Sequence, residues 1–462
     1  MKTVSTIGAL VLTCAFSGCD SEPRRLASDG GLDVSPHDGP KVNKPDGQVP
    51  LPDVGVEVFP GENPGGGTIY YVAPSGKNTN AGTEAAPWKT LQHAADQVEA
   101  GDMVAVKAGS YSDGFELTTS GTAAKPITFR GEGASKVTIT GGGQDTIYLD
   151  HADHVNIEQL SVMNASRAGL RLSFAHHVAV RRSVFGDNGT WGIFTDFSDD
   201  TTIEDCETYG SKAEHGIYIS NSCDRAIIRR NRSHDNNAGG IQINADPSMG
   251  GDGISSDCVI DSNIIYNNGQ AGGAAINLAS VRDTVISNNV LYNNKAGGIA
   301  GWDDGQGSNW GSKNVTIINN TIYFKAGQGR WCVSMKDGST GAIIRNNILF
   351  GGERGGIEVD DTTEASLEAD HNLFLSEKPV AENEDGQTFP TLADWKGAGK
   401  GAGSLTGSVT AVCSGIASGD AHLEASAPAI DKGVATSVVG HDFEGDARPQ
   451  GGGYDIGADE SQ

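Results

Sequence analysis

"TVISNNVLYNN", residues 284–294, alternates Val, Ile, Val and Leu with other residues and breaks at an asparagine pair. The same pattern opens "VNIEQLSVMN" at 155, "VAVRRSVFGDN" at 178, "TTIEDCETYGS" at 201, "AIIRRNRSHDN" at 226, "CVIDSNIIYNN" at 258, "VTIINNTIYFK" at 315 and "AIIRNNILFGG" at 342. Each line then reaches a short second strand: "GLRLS" 169, "GIFTD" 192, "GIYIS" 216, "GIQIN" 240, "AINLA" 275, "GIAGW" 298, "CVSMK" 332 and "GIEVD" 356. Period-two alternation of branched residues bounded by Gly, Asn and Asp predicts strands and tight turns. Strands this short bury no core alone, so successive coils must stack, each strand pairing with its equivalent one rung up. The pattern predicts an all-β, single-stranded right-handed parallel β-helix.

Two columns run through the repeat. Ser183, Cys206, Asn231, Asn263, Asn289, Asn320 and Asn347 stand at the turn after the first strand. Stacked amides at a buried turn can hydrogen-bond from rung to rung. Three residues later Tyr209, His234, Tyr266, Tyr292, Tyr323 and Phe350 form an aromatic column, read as a structural stack in which His234 replaces tyrosine.

The chain has 462 residues, 65 of them Gly, and a net charge of −26, which argues against a nucleic-acid partner. "MKTVSTIGALVLTCAFSGC" has the layout of an export signal over residues 1–19, and residues 20–67, rich in Pro, Gly and Asp, read as a disordered tether. The solenoid with its N-terminal cap is expected over 68–375, and its end plus an acidic segment over 376–462. Cys206, Cys223, Cys258, Cys332 and Cys413 show no metal-binding spacing; Cys223 with Cys258 is the disulfide to test first. A monomer is expected.

The N-terminus resembles a bacterial lipoprotein signal with "FSGC" as its lipobox, which implies lipidation of Cys19 and anchoring to the outer membrane or cell surface. "YYVAPSGKNTNAGTEAAPWKTLQHAADQVEAGDMVAVKAGSYSD", 70–113, reads as strand, turn, a short helix near 88–99 and strand. It resembles the N-terminal cap of extracellular β-helix proteins of the pectate-lyase-like superfamily. "SAPAIDKGVATSVVGHDFEGDARPQGGGYDIGADE", 426–460, resembles a C-terminal motif of bacterial surface β-helix proteins. Its Asp431, Asp442, Asp446, Asp455 and Asp459 read as a solvated acidic cap, with Ca²⁺ binding as the alternative.

In the second strand Ile and Leu fill the core, so the residues between them face out. One outward column is Arg171, Phe194, Tyr218, Gln242, Asn277, Ala300, Ser334 and Glu358; the next is Ser173, Asp196, Ser220, Asn244, Ala279, Trp302, Lys336 and Asp360. Long insertions follow at 246–257 and 303–312, where a solenoid builds a binding groove. "HGIYIS", "GGIQINADPSMGGDGI", "GAAINLASV", "GGIAGWDDG" and "GRWCVSMKDGSTGAIIRNNIL" resemble a family of exported bacterial right-handed β-helix proteins. Its wider superfamily holds polysaccharide lyases, hydrolases and epimerases, which implies a carbohydrate partner. The chain has neither the "GHG" of polygalacturonases nor the pectate-lyase "WIDH".

Elimination from an acidic polysaccharide needs a base beside the uronate carboxylate, a group that neutralises it and an acid for the leaving oxygen. His215 and Tyr218 are the candidate base and acid, with Arg171, Gln242, Asn244 and Asn277 gripping substrate and Asp196, Asp246 and Asp252 holding Ca²⁺. Lys336 is a rival base, with Trp302 as a stacking platform and Asp303, Asp304 or Asp337 as partner, roughly 19 Å from His215 at about 4.8 Å per rung. A hydrolase using paired carboxyls, a uronate epimerase and a noncatalytic glycan-binding protein remain alternatives.

Overall fold

The computed structural model describes residues 59–461. The expected signal, Cys19 and most of the tether lie outside the described residues. The chain winds into a right-handed parallel β-helix whose walls are three twelve-stranded sheets. The first runs from Ile69–Val72 to Glu368–Asp370, and the second from Gly109–Tyr111 to Leu405–Gly407. The third runs from Phe115–Leu117 to Ala381–Asn383, with Gln387–Phe389 closing it in antiparallel fashion. Strands continue past residue 375, in the segment expected to hold the end of the solenoid.

Each coil carries three strands rather than the two read from the repeat, because the asparagine turn splits the first line. In "TVISNNVLYNN" Val285–Ser287 lies in the first sheet and Val290–Tyr292 in the second. The residue before the ladder asparagine supplies the corner: Arg230, Ser262, Asn288, Asn319 and Asn346 have φ of 52 to 55°. One left-handed residue turns the chain sharply, and short polar side chains tolerate that conformation best. The next residue points its amide inward. Asn231, Asn263, Asn289, Asn320, Asn347 and Asn372 link by Nδ2–H donation to Oδ1 of the rung above at 2.9–3.0 Å. The same Oδ1 atoms accept the backbone N–H of the rung below at 2.9–3.0 Å. A second amide column, Asn236, Asn268 and Asn294, lines the corner between the second and third sheets.

Inside, aliphatic side chains stack rung on rung, with Ile193, Ile217, Ile241, Ile276, Ile299 and Val333 inaccessible to solvent. The aromatic column stacks as well, with ring centroids 5.4 Å apart for Tyr209–His234, 4.6 Å for His234–Tyr266 and 4.8 Å for Tyr266–Tyr292. The cap helix is shorter than 88–99: it spans Leu91–Ala95, capped by Thr90, whose hydroxyl accepts from His93 N–H.

Two expectations fail here. All five cysteines in the described residues are buried free thiols. Cys223 fills a corner, where its sulfur accepts the Ser198 N–H at 3.1 Å, and it does not bond to Cys258. The C-terminal acidic residues do not form a solvated cap: Asp442, Asp455 and Asp459 are buried. One Asp442 oxygen accepts the N–H groups of Glu444, Gly445 and Asp446, each at 2.9 Å, and Asp455 accepts from Asp431 and Ser461. The segment lies along the first corner of the solenoid. Amides of Asn288, Asn319 and Asn346 donate to the carbonyls of His441, Asp455 and Val434 at 2.9–3.1 Å. A fully buried Arg448–Glu460 pair at 2.7 Å holds it together.

Asn289→Ala removes an amide that bridges two rungs at a site without solvent, so the urea midpoint should fall by the equivalent of about 2–3 kcal/mol. Exposed Lys212→Ala should stay within about 0.5 kcal/mol of wild type. Equal midpoints for the two variants would remove the ladder as a stabilising device.

Candidate functional site

Strand register in the third sheet aligns one outward column as Tyr148, Arg171, Phe194, Tyr218, Gln242, Asn277, Ala300, Ser334 and Glu358. The second aligns Asp150, Ser173, Asp196, Ser220, Asn244, Ala279 and Trp302. These two columns form the floor of the candidate groove.

At its lower end the Arg171 guanidinium lies 5.2 Å from the Tyr148 ring centroid and 5.8 Å from that of Phe194. Cation–π contact on both sides fixes the side chain in line with the column. Its Nη2 donates to Asp196 Oδ2 at 2.9 Å, while Arg171 Nε and Asp196 Oδ1 are buried without partners. Asp196 is thus the partner of Arg171.

The middle of the groove is aromatic. Trp191 stacks on Phe194 at 4.4 Å, and Tyr218 meets Phe194 and His215 edge to face at 5.4 Å each. His215 and Tyr218 are therefore brought together. His215 Nδ1 accepts the Gly239 N–H at 3.0 Å, so the neutral ring carries its proton on Nε2 and offers a donor to the groove. Burial lowers its pKa to about 4. Gly239 makes this approach possible, since a Cβ there would stand 2.5 Å from the Ala274 carbonyl oxygen.

Glu214 was missed in the sequence. It accepts from Trp191 Nε1 at 2.8 Å, and burial holds its carboxyl above the usual range. The only hint was its position beside His215, one coil above a tryptophan.

Higher up, Asn277 Nδ2 donates to Gln242 Oε1 and Asn244 Nδ2 to Asp304 Oδ2, both at 2.8 Å. Burial first, and then the charges of Asp246 and Asp303, raise the Asp304 pKa. Asn244 Oδ1, beside it, is buried without a partner. The expected Ca²⁺ trio is divided: Asp196 pairs with Arg171, Asp246 accepts from Ser248 N–H, and exposed Asp252 accepts from Ile254 N–H in its own loop. Asp246 instead shares the field around Asp304 with Asp303, whose carboxylate accepts from Gly305 N–H.

At the far end Trp302 is half-buried and its Nε1 has no acceptor. Lys336 Nζ lies 2.6 Å from Glu384 and 3.6 Å from Glu358. Lys336 is thus engaged by two carboxylates. Asp337 donates its N–H to Asp360 Oδ2 at 2.7 Å, and burial raises its carboxyl pKa.

Together these features define a right-handed parallel β-helix with a polar and aromatic groove on one sheet. Residues 70–211 match a family model described as the Pel9A-like right-handed β-helix region, and residues 255–388 match a right-handed β-helix region. The uncharacterized protein YwoF of Bacillus subtilis is 32% identical over 146 residues, 28% of this chain and 30% of its own length. Pectate lyase PEL9 of Emericella nidulans is 37% identical over 73 residues, 15% of this chain and 18% of its own. The matched stretches thus span less than a third of either relative. The crystal structure of pectate lyase Pel9A superposes with a TM-score of 0.59 at 16% identity, covering 86% of this chain and 97% of that one, and so shares its fold.

The His215 geometry has a measurable sign. Its folded pKa of about 4 lies below the free value of about 6.5, so its contribution to stability is complete above pH 6.5 and lost as pH falls through 4. In ¹⁵N-histidine spectra assigned with His215→Phe, Nε2 should remain protonated and Nδ1 unprotonated down to about pH 5. Titration near pH 6.5, or the opposite tautomer, would refute the assignment.

Proposed function

We propose that the chain binds and cleaves an acidic, uronate-containing polysaccharide by β-elimination. The observation that carries this reading is the outward column in which Arg171, wedged between two rings, is followed by Tyr218, Gln242 and Asn277. Arg171, paired with Asp196 at 2.9 Å and 3.9 Å from Asp145, offers its remaining N–H groups to a uronate carboxylate in a chain of net charge −26. The matched Pel9A-like region and the relative named a pectate lyase support the substrate class.

In this reading Glu214 takes the base role expected of His215. Its carboxylate removes the proton at C5 while the Arg171 guanidinium stabilises the charge that develops on the adjoining carboxylate. The electrons of the C5–H bond form the C4–C5 double bond, the C4–O4 bond breaks, and the Tyr218 hydroxyl protonates the leaving oxygen. His215 Nε2–H and the amides of Gln242, Asn244 and Asn277 hold sugar hydroxyls, and Trp302 stacks a sugar further along the groove.

Ca²⁺ enters the proposal at Asp246, Asp303 and Asp304 rather than at the expected trio. Oxygen donors suit that ion, and the unpartnered Asn244 Oδ1 beside Asp304 adds another. Bound there, it would supply further positive charge for an acidic polymer. The same cluster supports a second reading, a glycoside hydrolase in which Asp304, its carboxyl raised above the usual range by burial and like charge, is the acid and Asp246 the base. We also propose that lipid on Cys19 anchors the protein to the outer membrane or cell surface; Cys19→Ala should shift it from the detergent phase to the aqueous phase in detergent partitioning.

Incubation with polygalacturonate, alginate or another uronate polymer should generate the ultraviolet absorbance of an unsaturated uronate. Glu214→Gln and Tyr218→Phe should lower kcat by about 100-fold or more, and Arg171→Ala should lower kcat/KM comparably. New reducing ends without absorbance would replace elimination with hydrolysis. Altered uronate stereochemistry without cleavage would mean epimerisation, and retention of polymer with no product would mean binding alone.

A further inference from the structure

We propose that His422, Glu444 and Asp459 form a binding site for a first-row divalent cation of the zinc type, in the C-terminal segment and separate from the groove. The three residues come from different stretches of chain, yet one ring nitrogen and one oxygen of each carboxylate all lie within 4.8 Å of one another. His422 Nε2 stands 3.0 Å from Glu444 Oε2, and Nδ1 stands 2.6 Å from Asp420 Oδ1. With Nδ1–H donated to Asp420, Nε2 faces Glu444 Oε2 at 3.0 Å, a separation that needs a proton or a metal ion between the two atoms. A carboxylate on the remote nitrogen is how proteins orient a metal-bound histidine and raise its basicity.

Asp459 supplies an observation that hydrogen bonding does not account for. The residue is 5% exposed, and one of its oxygens accepts the Leu423 N–H at 2.8 Å. No donor among the described residues reaches its other oxygen, which keeps contact with solvent and is open to a ligand. A cation held jointly with His422 and Glu444 would satisfy it. The Phe443 ring packs edge to face against His422 at 5.6 Å and restricts the imidazole on one side. One nitrogen with two carboxylate oxygens is a zinc-type donor set, and the imidazole counts against Ca²⁺ and Mg²⁺, which prefer all-oxygen shells. With three protein ligands the fourth position would be left to water. The competing arrangement, a protonated His422 shared between Asp420 and Glu444, has no place for a metal.

The test uses the full chain, stripped with a chelator and dialysed, then titrated with Zn²⁺ by calorimetry and thermal unfolding. One Zn²⁺ per chain with micromolar or tighter affinity and a raised Tm is expected, and any response to Ca²⁺, which belongs to Asp246, Asp303 and Asp304, should be the same in wild type and in the variants below. Glu444→Gln, at an exposed side chain, should fold as wild type and weaken Zn²⁺ binding at least tenfold, and His422→Ala should do the same. Equal Zn²⁺ binding by wild type and both variants would place the metal elsewhere. A chain that neither binds Zn²⁺ nor changes its Tm would reduce the cluster to an ion pair. Neither outcome bears on the groove, and failure of the polysaccharide reading would leave this site standing.

Discussion

The asparagine ladder at the first corner is the constraint on which the rest of the molecule depends. Each rung must turn in two residues, and the turn leaves buried backbone N–H groups with no strand partner. One side chain resolves this, because an amide both accepts from the rung below and donates to the rung above. From Asn231 to Asn372 the amide has the same geometry at each level, so these coils keep register even where the other turns carry insertions of different length. A ladder shifted by one residue would place every core isoleucine in water.

Fixed register makes a surface column a functional object. Arg171, Tyr218, Gln242 and Asn277 lie far apart in the chain but stand on successive or alternate rungs of one face. Flat sheet walls give little concavity, so the groove depends on what the turns add at its edges. His215 and Glu214 reach it from one side, and Asp246, Asp303 and Asp304 from the loops on the other. The two sides differ chemically: one is aromatic with a raised carboxyl, the other a concentration of negative charge.

Most of the fold was legible because its signals are periodic. Alternation and the Asn column place the coils, and the outward columns follow from alternation alone. The count of strands per coil was not legible, since one left-handed residue before the ladder Asn divides a line that reads as continuous. The second amide column was also overlooked, although its members are the last asparagines of "HDN" and "YNN". In the site, residue types located the face but not their roles. A histidine read as a base becomes a donor once a backbone N–H from the next coil occupies its Nδ1. Lys336 and Asp196 stand in ion pairs with residues distant in sequence, and Glu214 accepts from a tryptophan in the neighbouring turn. Contacts between coils decide these roles, and strand alternation does not encode them.

The C-terminal segment has a consequence for how the molecule comes apart. A solenoid is close to a one-dimensional chain in which each repeat senses only its neighbours, so its ends can fray coil by coil. Here a single stretch of backbone is pinned to Asn288, Asn319 and Asn346 on successive coils. Loss of any one of those coils releases a contact shared with the others, which makes their unfolding a joint event. The segment acts as a seam sewn across the grain of the repeat, and it turns the last third of the helix into one cooperative block.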